Sequence, residues 1–305
     1  MSKIMITGAN SGLGKECAHQ LAQHEDVDTL YLACRNPHKA EAARRELESS
    51  TGRSIFEIVI MDVSDPTSVR EAVAAFDGTL DGLMMNAGGL GGSTFLDQTP
   101  QGVTQMTASN LLGHVLLAEE LLSANKLRGI VMYTGSEAAR GVPKFGITRP
   151  ELKTGSREEF ISICDGSDFE SASDPMPPYA YVKLMGALWI SSLARQYPDV
   201  RAVTVSPGHT AGTRVGDGLP PLKKALFKSA FKILPFFKLS HDLEFGARRL
   251  VDVMHDDQYR SGIFYASKEK VLTGPMIDQS TLFADLANTQ YQDNARAALW
   301  HFLKR

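Results

Sequence analysis

Tyr179 and Lys183 stand four residues apart, with Tyr181 between them. On a helix, positions i and i+4 share one face, so Tyr179 and Lys183 point together and Tyr181 turns away to pack. A free tyrosine titrates near ~10. A nearby ammonium favours the phenolate and lowers that value. The pair therefore reads as a proton donor with its tuning charge. A second group is Thr7-Gly8-Ala9-Asn10-Ser11-Gly12-Leu13-Gly14, directly after the apolar run Ile4-Met5-Ile6. Glycines here allow a tight turn and let the backbone approach a pyrophosphate, while the helix that follows aims its free N–H groups at the anion. The spacing Gly-x-x-x-Gly-x-Gly is one residue longer at the front than the commonest dinucleotide fingerprint. A glycine-rich turn without a ligand is the alternative.

Dinucleotide sites for NAD tend to place an acid about 20 residues beyond the glycines. Arg35 occupies that place in Ala33-Cys34-Arg35-Asn36. A guanidinium fork matches the 2′-phosphate of NADP, which an acid would repel. A charge-assisted contact of about 1.5–3 kcal/mol favours NADP by roughly 10–100-fold. Lys39 is a second cation nearby, and a solvated surface arginine is the alternative for Arg35. Asp62-Val63 follows the third apolar run and is either an adenine contact or an acid at a helix N-terminus.

These groups need elements to hold them. Short apolar runs at 4–6, 29–33, 56–61, 83–85, 130–133, 202–205 and 263–265 read as seven strands, continuous as in parallel strands buried on both faces. Helical patterns alternate with them, at 14–23 and from Asn36-Pro37, a cap followed by proline at the first helical position, through Glu48. The expectation is a single α/β domain over 1–305: a Rossmann-type doubly wound parallel sheet of seven strands. Two segments break the rhythm: 137–178, rich in Gly, Pro, Ser and charge, and 215–240, with five lysines.

The chain has 305 residues, is 43% hydrophobic and carries a net charge of −3. That balance gives no global pull toward nucleic acid or an anionic membrane. No long apolar window predicts a membrane span. The start, Met1-Ser2-Lys3-Ile4, predicts no secretory leader. Cys17, Cys34 and Cys164 are far apart, odd in number, and form neither a disulfide framework nor a metal pattern. No metal is expected, and a reducing, cytoplasmic compartment is.

Taken in order, these residues resemble the short-chain dehydrogenases/reductases. Thr7 to Gly14 is similar to their glycine loop, and Asn86-Ala87-Gly88 to the Asn-Ala-Gly after strand four. Asn110 in Asn110-Leu111-Leu112-Gly113-His114 matches their catalytic-helix asparagine. Ser136 follows strand five, Tyr179 and Lys183 match Tyr-x-x-x-Lys, and Pro207-Gly208 follows strand six. "TGANSGLGKE", "ACRNPHKAEAA" and "NLLGH" resemble the retinol dehydrogenase and protochlorophyllide reductase branch, as does Ala297 to Trp300. Leu184-Met185-Gly186 after Lys183 departs from the cysteine typical of the light-driven enzymes.

The resemblance implies NADP(H) held by Gly8, Asn10, Ser11, Gly12, Leu13, Gly14, Arg35, Asp62, Val63, Asn86, Ala87, Gly88, Tyr179, Lys183, Pro207, Gly208 and a threonine, Thr213 or Thr210. It implies catalysis by Asn110, Ser136, Tyr179 and Lys183. Ser136 would hold the substrate oxygen, Lys183 the nicotinamide ribose, and Asn110 a water of a proton relay. His209 could reach the substrate or be solvated.

The segment 137–178 resembles the insertion of monomeric carbonyl reductases, which implies a monomer; Phe145 and Phe160 are alternative candidates for a pocket wall. Within 219–239, Lys224, Lys228 and Lys232 make a basic face and Leu222, Leu226, Ala230 and Ile233 an apolar one. In the family this position is a substrate lid, and such a segment can also touch a membrane surface. The expected activity is NADPH-dependent reduction of a lipophilic aldehyde or ketone. A protochlorophyllide-type ring reductase and a non-catalytic NADP(H)-sensing protein are the alternatives.

Overall fold

The computed structural model describes residues 1–143, 146–210, 242–269 and 271–304. Eight strands form one sheet: β1 (Lys3–Thr7), β2 (Thr29–Cys34), β3 (Phe56–Ile60), β4 (Leu80–Met85), β5 (Leu127–Thr134), β6 (Arg201–Val205), β7 (Phe264–Ser267) and β8 (Met276–Asp278). Their order is β3-β2-β1-β4-β5-β6-β7-β8. The first seven are parallel, and β8 pairs antiparallel with β7 through Tyr265 and Asp278. The seven expected strands are all present. The eighth has three residues, all half-buried, so no apolar run marks it.

The strand order reverses between β1 and β4, and ligands of doubly wound sheets bind outside the strand C-termini at such a switch point. The glycine loop leaves β1 there, and Asn86-Ala87-Gly88 leaves β4 beside it.

Helices cover both faces. On one lie α1 (Gly12–Leu21) and α2 (Pro37–Thr51). On the other lie α3 (Pro66–Ala75) and α4 (Gly113–Ser123). The Asn36 side chain caps α2 by accepting from the Lys39 N–H at 2.9 Å, as expected from Asn36-Pro37. The insertion contains α5 (Arg157–Asp165), and Ser156 caps it. Phe160 on α5 is fully buried in the core and is not a pocket wall. Phe145 lies outside the described residues.

The long helix α6 (Met176–Gln196) carries Tyr179 and Lys183. Then come α7 (Leu243–His255), which packs on α1, and α8 (Thr289–Leu303), which packs on α5 and α6. Glu119 on α4 ties this side together: it accepts from the indole N–H of Trp189 and of Trp300, each at 3.0 Å, and pairs with Arg296. The apolar and basic pattern of 215–240 lies outside the described residues.

Gly186 sets how α6 meets the sheet. It stands three residues after Lys183, and a Cβ there would lie 2.2 Å from the Tyr133 ring of β5. Overpacking of this kind costs about 1–3 kcal/mol. Gly186→Val is expected to lose that much stability in urea unfolding followed by circular dichroism; an unchanged midpoint would contradict the close approach.

Candidate active site

The glycine loop is shaped by two different demands. Gly12 has φ +54, a conformation that side chains other than glycine rarely adopt. Gly14 answers to space: a Cβ would lie 2.5 Å from the Gly8 carbonyl oxygen and 2.6 Å from Asn86 Nδ2. Ser11 is the N-cap of α1 but makes no side-chain cap hydrogen bond, and the first turn carries no acid. Leu13 opens the helix beside it. The helix start thus keeps its donors and positive end for an anion, which suits a diphosphate.

A cleft of about 380 Å³ begins at this loop. Gly8, Asn10, Cys34, Arg35, Asp62, Val63, Ala87 and Gly88 are among its lining residues. Arg35 is largely exposed, and its guanidinium lies 3.9 Å from the Asp62 carboxylate. Asp62 Oδ1 also accepts from the Ser64 N–H and hydroxyl. The two charges expected at the adenosine end therefore stand side by side.

Behind the loop, the Thr7 hydroxyl accepts from the N–H groups of Asn86 and Ala87 at 2.9 and 3.0 Å. It also meets His114 Nε2 at 3.0 Å. His114 Nδ1 lies 3.2 Å from the Asn110 carbonyl, which can only accept, so Nδ1 carries the proton and Thr7 donates to Nε2. Burial lowers the imidazole to about 4 and keeps it neutral. Motif reading passed over this link, because it joins residues 107 positions apart.

Asn110 sits in a π-helical turn, Ala108–Leu112. Such turns are frequent at functional sites. Its side-chain oxygen accepts from the Gly89 N–H, and its amide donates to the carbonyls of Gly89 and Met106, all at 2.9 Å. Its main-chain carbonyl accepts from the Tyr133 hydroxyl at 2.9 Å as well as from His114. The main-chain carbonyl thus carries two protein donors and the side-chain oxygen one.

Tyr179, Lys183 and Ser136 meet at the end of β5. The Ser136 hydroxyl stands near enough to the Tyr179 phenol to favour its ionised form. Lys183 Nζ donates to the Thr134 carbonyl at 2.9 Å and lies 5.5 Å from the centre of the Tyr179 ring. Tyr181 does face away: its hydroxyl donates to the Glu151 carbonyl at 3.0 Å and tethers the insertion.

The electrostatics differ from the sequence expectation. Burial pushes Tyr179 up to about 12, the Ser136 hydrogen bond pulls it back, and Glu137 adds to the rise. Burial lowers Lys183 to about 7. Desolvation of both groups outweighs their mutual attraction here.

Pro207 and Gly208 turn the chain after β6, with Gly208 at φ +77. Thr210 is buried, and its hydroxyl donates to the Pro207 and Gly208 carbonyls at 3.2 Å. The N–H of His209 donates to the Leu272 carbonyl at 3.0 Å. Thr213 lies outside the described residues.

A sequence profile described as short chain dehydrogenase matches residues 2–147. Over that stretch the chain is similar to the short-chain dehydrogenases/reductases. Human retinol dehydrogenase 11 is 35% identical over 126 residues, 40% of this chain and 38% of that protein. The match thus covers less than half the length of that relative. Bovine dehydrogenase/reductase SDR family member 12 is 28% identical over 217 residues, covering 70% of this chain and 62% of its own.

Solved structures share the fold. A short chain dehydrogenase from Burkholderia cenocepacia in complex with NADP has a TM-score of 0.62 at 20% identity, over 90% of this chain and 98% of that one. An NADPH-bound carbonyl reductase from chicken fatty liver has a TM-score of 0.58 at 17% identity, over 90% and 94%. Among the described residues, no helix is long and apolar enough to cross a membrane.

Away from the cleft, His24, Asp26 and His255 bring ligand atoms within 4.8 Å of one another. The two imidazoles stack 4.1 Å apart with 8° between their planes. Their in-plane lone pairs run side by side rather than converging on one point.

The buried Lys183 gives a pH signature. Its folded value, about 7, is below the unfolded 10.5, so the unfolded chain binds the extra proton between those values. The stability penalty is full below pH 7 and fades as pH rises toward 10.5. Lys183→Met is expected to gain stability over the parent at pH 6 and to lose that advantage near pH 10. Denaturant melts at both values check it; a constant difference would contradict the shift.

Proposed function

We propose that this protein is a short-chain dehydrogenase/reductase, an NADPH-dependent reductase of lipophilic aldehydes or ketones. The observation that carries the reading is the meeting of Tyr179, Ser136 and Lys183 at the C-terminal end of β5, two strands from the glycine loop on the same edge of the sheet. The residues present suit the cofactor: α1 keeps its N-terminal donors for a diphosphate, and Arg35 lines the same cleft with a fork that matches a 2′-phosphate. The NADP and NADPH complexes of the structural neighbours support the same assignment.

Each protein group has a task. A nicotinamide held in this cleft would supply the hydride for a carbonyl carbon. Ser136 holds the carbonyl oxygen next to the phenol. Tyr179 keeps its proton at neutral pH, since burial holds it near 12, and gives that proton to the oxygen as the alcohol forms. Lys183, at about 7, exchanges protons near neutrality and can restore the phenol. Asn110 fastens Gly89 and the end of β5 so that these groups keep their places. α8 covers α6, which supports a monomer. The lid role for 215–240 and the nicotinamide contact for Thr213 stand as parts of the same proposal, as does a cytoplasmic location.

The test is NADPH consumption in the dark with a panel of apolar aldehydes and ketones. Tyr179→Phe is expected to lower kcat by at least about 100-fold, the scale of general acid catalysis, with the Kd for NADPH unchanged. Full activity in that variant would overturn the assignment. Arg35→Asp is expected to weaken NADPH by roughly 10–100-fold and to leave NADH nearly unaffected. Equal losses for both cofactors would show that Arg35 does not read the phosphate.

A further inference from the structure

Glu137 directly follows Ser136, in a stretch whose composition suggests a solvated loop. It is 4% exposed. One carboxylate oxygen accepts from the Ser206 hydroxyl and the other from the Ser267 N–H at 3.3 Å. Ser206 stands just past the end of β6, before Pro207-Gly208, and its oxygen also accepts from the Gly208 N–H at 3.2 Å. Ser267 ends β7. One side chain therefore connects the C-terminal ends of three neighbouring strands, on the edge where Ser136 meets Tyr179.

Two buried guanidinium groups surround this link. Arg140, in the same turn as Glu137, donates to the carbonyls of Ser267 and Lys268 at 3.1 Å. Arg249, on α7, donates to the Ser267 hydroxyl at 3.0 Å. Both feel the Glu137 charge as stabilising, against the cost of their own burial. A buried carboxylate with two hydrogen bonds and two nearby cations is a compensated arrangement.

We propose that Glu137 is a positioning residue: its carboxylate locks the ends of β5, β6 and β7 into one unit that places Ser136 and the Pro207-Gly208 turn against Tyr179. This rests on the reductase reading for its catalytic consequence. The same charge bears on the phenol. Tyr179 faces Glu137 and Ser136 from the turn after β5, Tyr133 from β5 itself, and Lys183 from its own helix; Arg140 and Arg249 act on Glu137. Glu137 disfavours the phenolate, so removing its charge should ease ionisation of Tyr179.

The experiment compares the parent, Glu137→Gln, Glu137→Asp and Ser206→Ala. Hydrogen exchange is followed in 134–140, 204–210 and 264–268, with NADPH binding as the check that each variant folds. Glu137→Gln puts an amide where the Ser206 and Ser267 donors expect a carboxylate. Exchange should rise in all three segments together. kcat should fall by about 10–100-fold, the scale of a misplacement near 1 Å, with a smaller change in KM. The high-pH limb of kcat for reduction should move to lower pH. Glu137→Asp keeps the charge and should keep the limb in place. Ser206→Ala should loosen 204–210 alone and also leave the limb in place.

Unchanged exchange in Glu137→Gln would overturn the proposal, whatever the activity. So would raised exchange with parental kcat and pH limb. Should the parent turn over no carbonyl substrate, the reductase reading fails, while exchange still decides whether Glu137 ties the strands. If Glu137→Gln does not bind NADPH, Ser206→Ala decides the tie: parental exchange in 204–210 overturns it.

Discussion

The Thr7 hydroxyl is the atom on which the cofactor side of this protein turns. It accepts from two successive N–H groups after β4 and donates to a buried imidazole on α4. That imidazole reaches the Asn110 carbonyl, which also receives Tyr133 from β5. One oxygen and one neutral histidine thus connect the ends of β1, β4 and β5 through the π-turn. A buried hydroxyl with all its partners satisfied is rigid as well as stable, and an unmade bond there would be costly. The glycine loop follows β1 and the Asn110 turn leads into α4 on either side of this node.

Burial governs the chemistry that the node supports. Around neutral pH a phenol held near 12 keeps its proton, and a lysine near 7 is divided between its charged and neutral forms. The isolated pair suggests the reverse, an ammonium drawing the phenol down. The difference lies in solvent: the attraction between two charges falls short of the cost of taking each from water. A positive ring bound nearby would act on the same balance and favour the phenolate.

Much of this was legible in the sequence, for physical reasons. The parallel strands show as continuous apolar runs because both of their faces are buried. Tyr179 and Lys183 declare themselves through helical spacing, and Asn36-Pro37 marks the start of α2 as a cap and a preset φ. Other features left no local trace. β8 is too short and too exposed to stand out. Phe160 sits within a polar insertion yet supplies core, because α5 brings it inward. Glu137 has the composition of a surface residue and is buried only because β6 and β7 arrive from elsewhere in the chain. Thr213 and 215–240 lie outside the described residues, so the expectations of a nicotinamide contact and a lid rest on sequence pattern alone.

The knot at Glu119 has a spectroscopic consequence. The chain has two tryptophans, and both indole N–H groups end on the same carboxylate. Their emission therefore reports on a single place, the junction of α4, α6 and α8. A red shift would signal that α8 has left its seat and admitted water to the indoles. The protein carries, in its own fluorescence, a gauge of whether its C-terminal helix is docked.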